Sequence, residues 1–509
     1  MKFNRESGIL LHPTSLPSKY GIGELGSEAY DFVDFLVGSR QKLWQILPLG
    51  PVGYGESPYQ CFSAFAGNTM IISIEKLMEQ KLLFQEDIDV LPVFNTRLVE
   101  FERVKVFKSA LYRKAFGRFK AAGDNVEYDV FLKENNYWLD EFSLFMALKD
   151  HFGGIAWNLW DKEIAFRNPK AMEDYRNILV REIEYQRFLQ YIFFSQWLEL
   201  KAYANNKGVE IIGDLPIFIS YDSSDAWSRR SFFELDAAGN PSKVAGVPPD
   251  YFSATGQFWG NPHYKWDEME KDEFKWWRDR LDMLLKVVDI IRIDHFRGFE
   301  SYWEIPGGQK TAQIGSWVKA PGRKLFQTLK AYKNDIPIIA EDLGVITKEV
   351  EELKNEFEFP GMKILQFTFG RGSEERFLPH NYEENAVVYT GTHDNDTTVG
   401  WYLKVKDTDP KAIDELKSYF NITEEIGERA ICWTLIENAL SSRANTAIIP
   451  LQDILCLGSE ARMNTPNTIG GKNWAWRLEE GQLTSKLEEK LAHLSVLYNR
   501  NAAITEVEQ

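Results

Sequence analysis

The segment DIIRID, residues 289–294, is an apolar run that ends in a carboxylate, Asp294. Two further runs have the same form: IPIIA leads into Glu341, and VVYTGTH leads into Asp394. An apolar run of this length is typical of a buried strand in a parallel sheet. In a (β/α)8 barrel, the carboxyl ends of such strands line the active site. These segments therefore predict a barrel with acidic residues converging at its mouth.

Eight apolar, strand-like runs occur along the chain, which is the number of strands in a closed barrel. Segments with helical periodicity separate most of them, for example EAYDFVDFLVG and WWRDRLDMLLKVV. This alternation predicts an α/β fold and favours a (β/α)8 TIM barrel, although an open doubly wound sheet would fit the same pattern. The predicted strands are residues 9–11, 43–47, 210–213, 290–293, 337–340, 364–367, 387–389 and 447–449.

The spacing of these strands predicts two insertions in a single catalytic barrel unit, residues 1–509. The interval between strands two and three is far longer than a barrel repeat needs, so residues 75–200 are predicted to be an inserted, mostly helical subdomain. Residues 220–262 are rich in Gly, Pro, Asp and aromatics and are predicted to be a loop-rich insertion that forms an active-site lid. The chain after Trp476 reads as a charged helical tail, too short for a C-terminal β-domain.

Composition excludes several classes of partner. With 44% hydrophobic and 26% charged residues, the chain has the make-up of an ordinary globular protein. A formal net charge of −16 argues against nucleic acid or an anionic membrane as partner, because both need a basic face. The N-terminus lacks an apolar signal region, and the three cysteines are scattered, so we expect a cytoplasmic protein. The sequence does not fix the oligomeric state.

The first acidic segment pairs a guanidinium with a carboxylate. Arg292 and Asp294 are two positions apart and face the same side of a strand. A neighbouring guanidinium lowers a carboxyl pKa and would keep Asp294 ionised, as a nucleophile requires. A purely structural Arg–Asp pair is the alternative. His295 and the turn-like Arg297-Gly298 place the segment at a loop mouth.

The second acidic segment offers two neighbouring carboxyls, Glu341 and Asp342. A partly desolvated Glu has a raised pKa, which suits a general acid. Because side chains alternate along a strand, only one of the two points into the mouth, and the other is expected to cap the following helix.

The third segment groups His393, Asp394, Asn395 and Asp396. A metal site is one interpretation, but the spacing matches no zinc or calcium loop pattern. Hydrogen bonding to sugar hydroxyls suits the same residues. We therefore expect no metal and no cofactor, and acids converging in this way predict glycosidic-bond chemistry.

These segments resemble a known family. RIDH at 292–295, AEDLG at 340–344 and HDN at 393–395 resemble the catalytic regions of the α-amylase clan. More narrowly, the chain resembles the 4-α-glucanotransferases called amylomaltase or disproportionating enzyme. The motifs that carry this resemblance run from about residue 7 to 478: GILLHPTSLPSKYGIGELG, LPLGPVGYGESPYQCFSAFAGN, GDLPIFISYDSSDAW, GVPPDYFSATGQFWGNPHY and NTPNTIGGKNWAWRL.

The resemblance implies a role for each matching residue. Asp294 would be the nucleophile, Glu341 the general acid/base, and Asp394 would bind the reacting sugar and stabilise the transition state. The implied substrates are α-1,4-glucans and maltooligosaccharides, with glucose as a further acceptor. The residues expected to bind substrate are Tyr54, Tyr59, Asp214, Trp259, Arg292, His295, His393 and Asn395.

The expected reaction is a double displacement with retention, for which the two carboxyl groups lie about 5 to 5.5 Å apart. Transfer instead of hydrolysis requires shielding from water. The loop 246–262, with Tyr251, Phe252, Phe258 and Trp259, is the predicted lid, and an ordinary packed insertion is the alternative. A retaining α-glucan hydrolase and a glucan-binding protein without turnover are the alternative functions.

Overall fold

The computed structural model describes residues 3–249, 253–370, 373–423 and 426–500. Twelve strands form within these ranges. In chain order they are β1 (Glu6–Leu10), β2 (Leu43–Gln45), β3 (Glu210–Pro216), β4 (Lys243–Val247), β5 (Gln257–Pro262), β6 (Ile290–Asp294), β7 (Ser301–Pro306), β8 (Ser316–Lys319), β9 (Ile338–Ala340), β10 (Gly361–Ile364), β11 (Ala386–Tyr389) and β12 (Thr446–Pro450).

Eight of the strands close into a parallel barrel, as predicted. The order is β1-β2-β3-β6-β9-β10-β11-β12, and β12 pairs with β1 to complete the ring. Closure excludes the open doubly wound sheet. One predicted strand was misplaced: residues 365–367 form a 3-10 turn, and the strand covers the preceding Gly361–Ile364. The polar Lys363 within GMKI obscured that strand in the sequence, although its side chain is buried.

Helices cover the outside of the barrel and fill the interval between β2 and β3. The described helices are α1 (Ser27–Gly38), α2 (Ile74–Glu79), α3 (Phe101–Ala121), α4 (Val126–His151), α5 (Lys162–Ala165), α6 (Pro169–Ile178), α7 (Val180–Asn206), α8 (Ser224–Ser228), α9 (Trp266–Glu270), α10 (Lys275–Val287), α11 (Gly322–Tyr332), α12 (Lys348–Glu356), α13 (Thr398–Thr408), α14 (Pro410–Tyr419), α15 (Glu428–Ser441), α16 (Leu451–Ile454) and α17 (Ser485–Leu497).

The long helices α3, α4 and α7 share one hydrophobic core with the barrel. Phe116, Trp138 and Phe188 belong to the same buried cluster as the barrel residues Ile211 and Ile291. Aromatic side chains hold these helices together, with the rings of Phe116 and Phe188 5.5 Å apart. The helical character predicted for this stretch is therefore present, while the subdomain boundaries at 75–200 stay a prediction.

The remaining four strands form a small antiparallel sheet in the order β5-β4-β7-β8. This sheet was not predicted from the sequence, because residues 220–262 have a loop-rich composition and residues 301–319 contain no continuous apolar run. Its strands carry Gly, Pro and charged residues instead of a continuous apolar run, so their pattern resembles that of loops. The sheet joins the predicted lid to the chain that follows β6.

The carboxyl-terminal part of the chain is helical, as predicted. In the described residues after β12, α16 and α17 form and no further strand is assigned. Within the same described ranges, no helix combines the length and the apolar character needed to cross a membrane.

Candidate active site

Asp294 lies at the carboxyl end of β6, next to two neighbouring strands that also end at the barrel mouth. Its Cα is in register with Pro216 of β3, and Arg292 is in register with Asp214. The Arg292 guanidinium lies between two carboxylates, 3.1 Å from Asp294 Oδ1 and 2.5 Å from Asp214 Oδ2. One buried cation therefore links the predicted nucleophile to the predicted sugar-binding acid.

Glu341 follows β9 and is held by two backbone donors. The N–H of His295 donates to Oε2 at 2.7 Å, and the N–H of Leu343 donates to Oε1 at 2.8 Å. His295 adopts a left-handed backbone with a φ of 56°, which turns its N–H towards the next strand. Glu341 and Asp294 thus share one side of the mouth.

Asp342 does not cap the following helix, contrary to one of the two expected roles. Its carboxylate is buried, 2.6 Å from the Lys354 ammonium of α12, and it accepts the N–H of Met362 at 2.8 Å. The helix begins instead after Thr347. Asp342 therefore fixes α12 and β10 against β9, while Glu341 remains the predicted general acid.

Burial raises the pKa of Asp294 well above that of an ordinary carboxyl, and Asp214 and Glu341 add to this rise. Arg292 lowers the pKa of Asp294, as the sequence predicted, but burial outweighs it. Burial also raises the pKa of Glu341, against the effects of Arg292 and the two backbone donors. The surroundings therefore do not favour the ionised Asp294 that the sequence predicted: the cluster holds a proton at pH values where isolated carboxyls have lost theirs, and Asp294 must be free of it to act as a nucleophile.

Asp394 is positioned by two residues that the sequence analysis did not name as site residues, Arg462 and Asn464. The Asn464 side-chain amide donates to Asp394 Oδ1 at 2.6 Å, and the Arg462 guanidinium donates to the Asp394 carbonyl at 2.6 Å. His393 Nε2 lies 3.5 Å from the same Oδ1. Asn395 turns back to accept from the Thr392 N–H at 2.9 Å.

Tyr59 contacts both Asp214 and His393. It lies in a tight loop closed by a hydrogen bond from the Gly53 N–H to the Gln60 carbonyl, 2.9 Å long. Its hydroxyl donates to Asp214 Oδ2 at 2.7 Å, and its ring stacks on His393 with centroids 5.2 Å apart. The Trp474 ring lies 5.8 Å from that of Tyr59 and so extends the aromatic wall.

The predicted lid reaches the catalytic strand through Trp259 of β5. Its ring stands perpendicular to that of His295, with centroids 4.9 Å apart. On the far side, the Asn467 side chain donates to the Gly256 carbonyl at 3.2 Å, which joins the lid to the carboxyl-terminal loop. Phe258 is 38% exposed. Tyr251 and Phe252, also predicted for the lid, lie outside the described residues.

Tyr54 stands apart from this cluster. It begins the short turn Tyr54–Glu56, and its side chain is 80% exposed. An exposed tyrosine can stack on a sugar beyond the cleft, so its predicted contact with glucan remains a prediction.

A pocket that is partly open to solvent adjoins the site and is lined by His12, His393, Asp396 and Arg462, among others. Burial, together with the nearby His393, lowers the pKa of His12 to about 3, so its imidazole is neutral at ordinary pH. Across the described ranges, no group of three or more His, Cys, Asp or Glu side chains is placed to hold a metal ion.

Comparison with known proteins identifies the family. A family model described as 4-alpha-glucanotransferase matches residues 11–484. The chain belongs to the 4-alpha-glucanotransferase family. A 4-alpha-glucanotransferase of Synechocystis sp. is 48% identical over 502 residues, which cover 97% of this chain and 98% of that relative. One of Clostridium butyricum is also 48% identical, covering 96% and 100%.

A solved structure from the same 4-alpha-glucanotransferase family has a closely similar fold. The amylomaltase of Streptococcus agalactiae, solved in complex with acarbose, gives a TM-score of 0.93 at 40% sequence identity. The match covers 97% of this chain and 99% of that structure. The family resemblance drawn from the catalytic segments is therefore confirmed.

Four residues of this 4-alpha-glucanotransferase site were not predicted from the sequence: His12, Arg462, Asn464 and Trp474. Three of them lie inside motifs that carried the family resemblance, GILLHPTSLP and NTPNTIGGKNWAWRL, and Arg462 lies two residues before the second motif. The available signal was the density of Asn, Gly and Trp in a segment without periodicity, which is typical of a functional loop.

Proposed function

We propose that this chain transfers a segment of an α-1,4-glucan to the 4-hydroxyl of an acceptor glucose or maltooligosaccharide. The family membership supports this reaction. The observation that carries it at the site is the placement of Asp294, Glu341 and Asp394 around one barrel mouth, with Arg292 between Asp294 and Asp214.

In the proposed mechanism, Asp294 attacks the anomeric carbon while Glu341 protonates the leaving glycosidic oxygen. A covalent glucosyl-enzyme forms, and Glu341 then accepts a proton from the acceptor hydroxyl as that hydroxyl attacks. The raised pKa of Glu341 favours its protonated form in the first step. A retaining pair requires the two carboxyl groups to be about 5 to 5.5 Å apart when substrate is bound.

The other side chains are proposed to hold the donor sugar. Asp394 and Asp214 offer carboxylate oxygens to its hydroxyls, and Tyr59 offers an aromatic face together with His393. Charge-assisted hydrogen bonds of this kind strengthen as the ring flattens and gains positive character in the transition state. Arg292 keeps the surrounding carboxylates in position.

Incubation with maltotriose distinguishes this function from the alternative retaining α-glucan hydrolase. A transferase produces glucose together with a series of longer maltooligosaccharides, because another sugar takes up the glycosyl group. We expect that series by chromatography of the products. Production of only shorter sugars would favour hydrolysis, and unchanged maltotriose would favour a glucan-binding protein without turnover.

Two variants test the roles of the acids. Asp294→Asn should abolish transfer and hydrolysis with every donor, because no nucleophile remains. Glu341→Gln should lose activity on maltotriose but still release fluoride from α-glucosyl fluoride, whose leaving group needs no protonation. Burst kinetics with the fluoride donor measure this difference. Full activity of Asp294→Asn, or equal loss on both donors for Glu341→Gln, would contradict the assignment.

We also propose that the protein acts in the cytoplasm without a cofactor and without nucleic acid or membrane partners. The net charge of −16 supports the absence of polyanionic partners. Dialysis against a chelator should leave the maltotriose reaction unchanged, and a fluorescent fusion should distribute through the cytoplasm.

A further inference from the structure

Two cysteines that are distant in the sequence meet behind the active site. Cys432 lies in α15, and Cys456 follows α16. The Cys432 thiol donates to the Asp453 carbonyl at 3.2 Å, and the Cys456 backbone N–H donates to the same oxygen at 2.9 Å. Both residues therefore contact one carbonyl oxygen, and the neighbouring Cys456 thiol raises the pKa of the Cys432 thiol. Cys61 is elsewhere, with its thiol directed at the Pro58 carbonyl.

We propose that Cys432 and Cys456 form a redox-active dithiol, which a peroxide converts into an intramolecular disulfide. The Cys432 thiol and the Cys456 backbone N–H share one acceptor, so the two residues are neighbours and rotation of their side chains can bring the sulfurs together. Cys456 has a left-handed backbone with a φ of 53°, uncommon for a residue with a side chain and typical of a locally constrained position.

The surroundings assign a different role to each sulfur. Cys456 is half-buried and so reachable by a small oxidant, whereas Cys432 is fully buried. The hydrogen bond from Cys432 lowers the pKa of the Cys456 thiol, and Arg429 and Lys490 act in the same direction. Cys456 is therefore the attacking sulfur, and Cys432 is the resolving one.

The chemistry balances with hydrogen peroxide as oxidant. The Cys456 thiolate attacks one peroxide oxygen, the O–O bond breaks, and a sulfenic acid and hydroxide form, which takes up a proton to leave as water. The Cys432 sulfur then attacks the Cys456 sulfur, its proton leaves with the displaced hydroxyl as a second water, and the disulfide forms. Two thiols are oxidised and one peroxide is reduced.

The dithiol is linked to the catalytic loop through Asp453. The Asp453 carboxylate accepts from the Thr390 hydroxyl at 2.6 Å and from the Thr398 N–H at 2.6 Å. Those two threonines flank the loop that carries His393 and Asp394. Disulfide formation removes the Cys432 thiol donor from the carbonyl of Asp453, the residue whose carboxylate holds both threonines. This part of the inference rests on the proposed role of Asp394.

The first experiment measures the covalent change alone. The full-length protein is treated with a small excess of hydrogen peroxide, and its mass and digested peptides are analysed with and without dithiothreitol. We expect a loss of two hydrogens, one linked pair of peptides containing Cys432 and Cys456, and full reversal by dithiothreitol. Oxidation of Cys456 to sulfinic acid without a linked pair, or no reaction at either residue, would overturn the proposal.

The second experiment measures the consequence for maltotriose transfer. Oxidised protein should show a several-fold loss of rate that dithiothreitol restores, and Cys456→Ser should resist this loss. Cys432→Ser, whose hydroxyl retains the donor to Asp453, should also resist it, and the control Cys61→Ser should behave as the parent chain. Equal inhibition of Cys456→Ser would overturn the link to the loop. Failure of the reduced parent to transfer would instead count against the proposed function, because the mass measurement does not depend on it.

Discussion

At the scale of single residues, Arg292 is the centre of charge in the site. It lies within 3.1 Å of carboxylates on two adjacent strands, and its own side chain is almost fully buried. Burial alone would lower the pKa of Arg292, but Asp214 and Asp294 raise it well above its ordinary value. The guanidinium is therefore a permanent charge, whereas burial raises the pKa of the neighbouring Asp294 carboxyl.

Removal of the Asp214 charge should shift the pH profile. Asp214 raises the pKa of Asp294, so Asp214→Asn should lower that pKa. Arg292 would then pair with the Asp294 carboxylate and no longer with a charged residue 214. Because Asp294 must be ionised to attack, the acidic limb of kcat/KM should move to lower pH, even though the rate itself falls. Initial rates measured across the acidic range test this shift. An acidic limb that stays in place or moves to higher pH would contradict the assigned coupling.

Asn464 should affect the rate through Asp394. Loss of one hydrogen bond to a charged group costs about 1.5 to 3 kcal/mol, so Asn464→Ala should reduce kcat/KM by about 10- to 100-fold. Asn464→Asp should be worse, because it places a second negative charge 2.6 Å from Asp394. The exposed neighbour Thr465→Ala is the matched control, since the hydrogen bonds of Thr465 in the described structure use its backbone N–H and carbonyl. Similar kinetics for the Ala and Asp variants would argue against this role.

At the scale of elements, strand β5 carries the lid residue that faces the catalytic strand. Trp259 contacts His295, whose backbone N–H holds Glu341. Neighbouring strand residues point to opposite faces, so Phe258 faces away from this contact. The predicted lid therefore contacts His295, the residue whose backbone N–H positions Glu341.

Loss of the Trp259 ring should admit water to the glucosyl-enzyme. Trp259→Ala should raise the ratio of hydrolysis to transfer, because water then competes with the sugar acceptor for the same intermediate. Phe258→Ala on the outer face is the control and should leave the ratio unchanged. Reducing-end and product-length assays with maltotriose give both rates. An unchanged ratio in Trp259→Ala would remove the argument for a lid.

At the scale of the whole molecule, buried neutral histidines should make the fold sensitive to acid. Burial lowers the pKa of His12 and of His263 to about 3 each. Between about pH 6.5 and pH 3, these histidines bind protons in the unfolded chain but not in the native state. Each histidine therefore lowers the free energy of unfolding by up to about 1.4 kcal/mol per pH unit. This cost is absent above about pH 6.5. Urea unfolding should show a shallower decline with acid for His12→Gln, and an identical slope would contradict this account.

Much of the barrel could be predicted from the sequence, because its strands are continuous apolar runs that end in polar residues. Asp294 and Glu341 were predicted from that pattern, whereas the contacts that position Asp394 were not. Asn464 and Arg462 reach Asp394 from about seventy positions further along the chain, as the hydrogen bonds show. Periodicity reports on which side of an element a residue lies, and it carries no information on contacts between distant loops. For the same reason, the sequence did not predict that Cys432 and Cys456 are neighbours in the fold.

The small antiparallel sheet has a practical consequence for exchanging parts between relatives. Strands β4 and β5 carry the predicted lid, and β4 pairs with β7, which begins at Ser301 only seven residues after Asp294. A graft of residues 243–262 alone would place a foreign strand against a native partner and leave its ladder and side-chain pairs mismatched. A transplantable lid is therefore a two-piece cassette, 243–262 together with 301–319, and the host must accept both pieces at once.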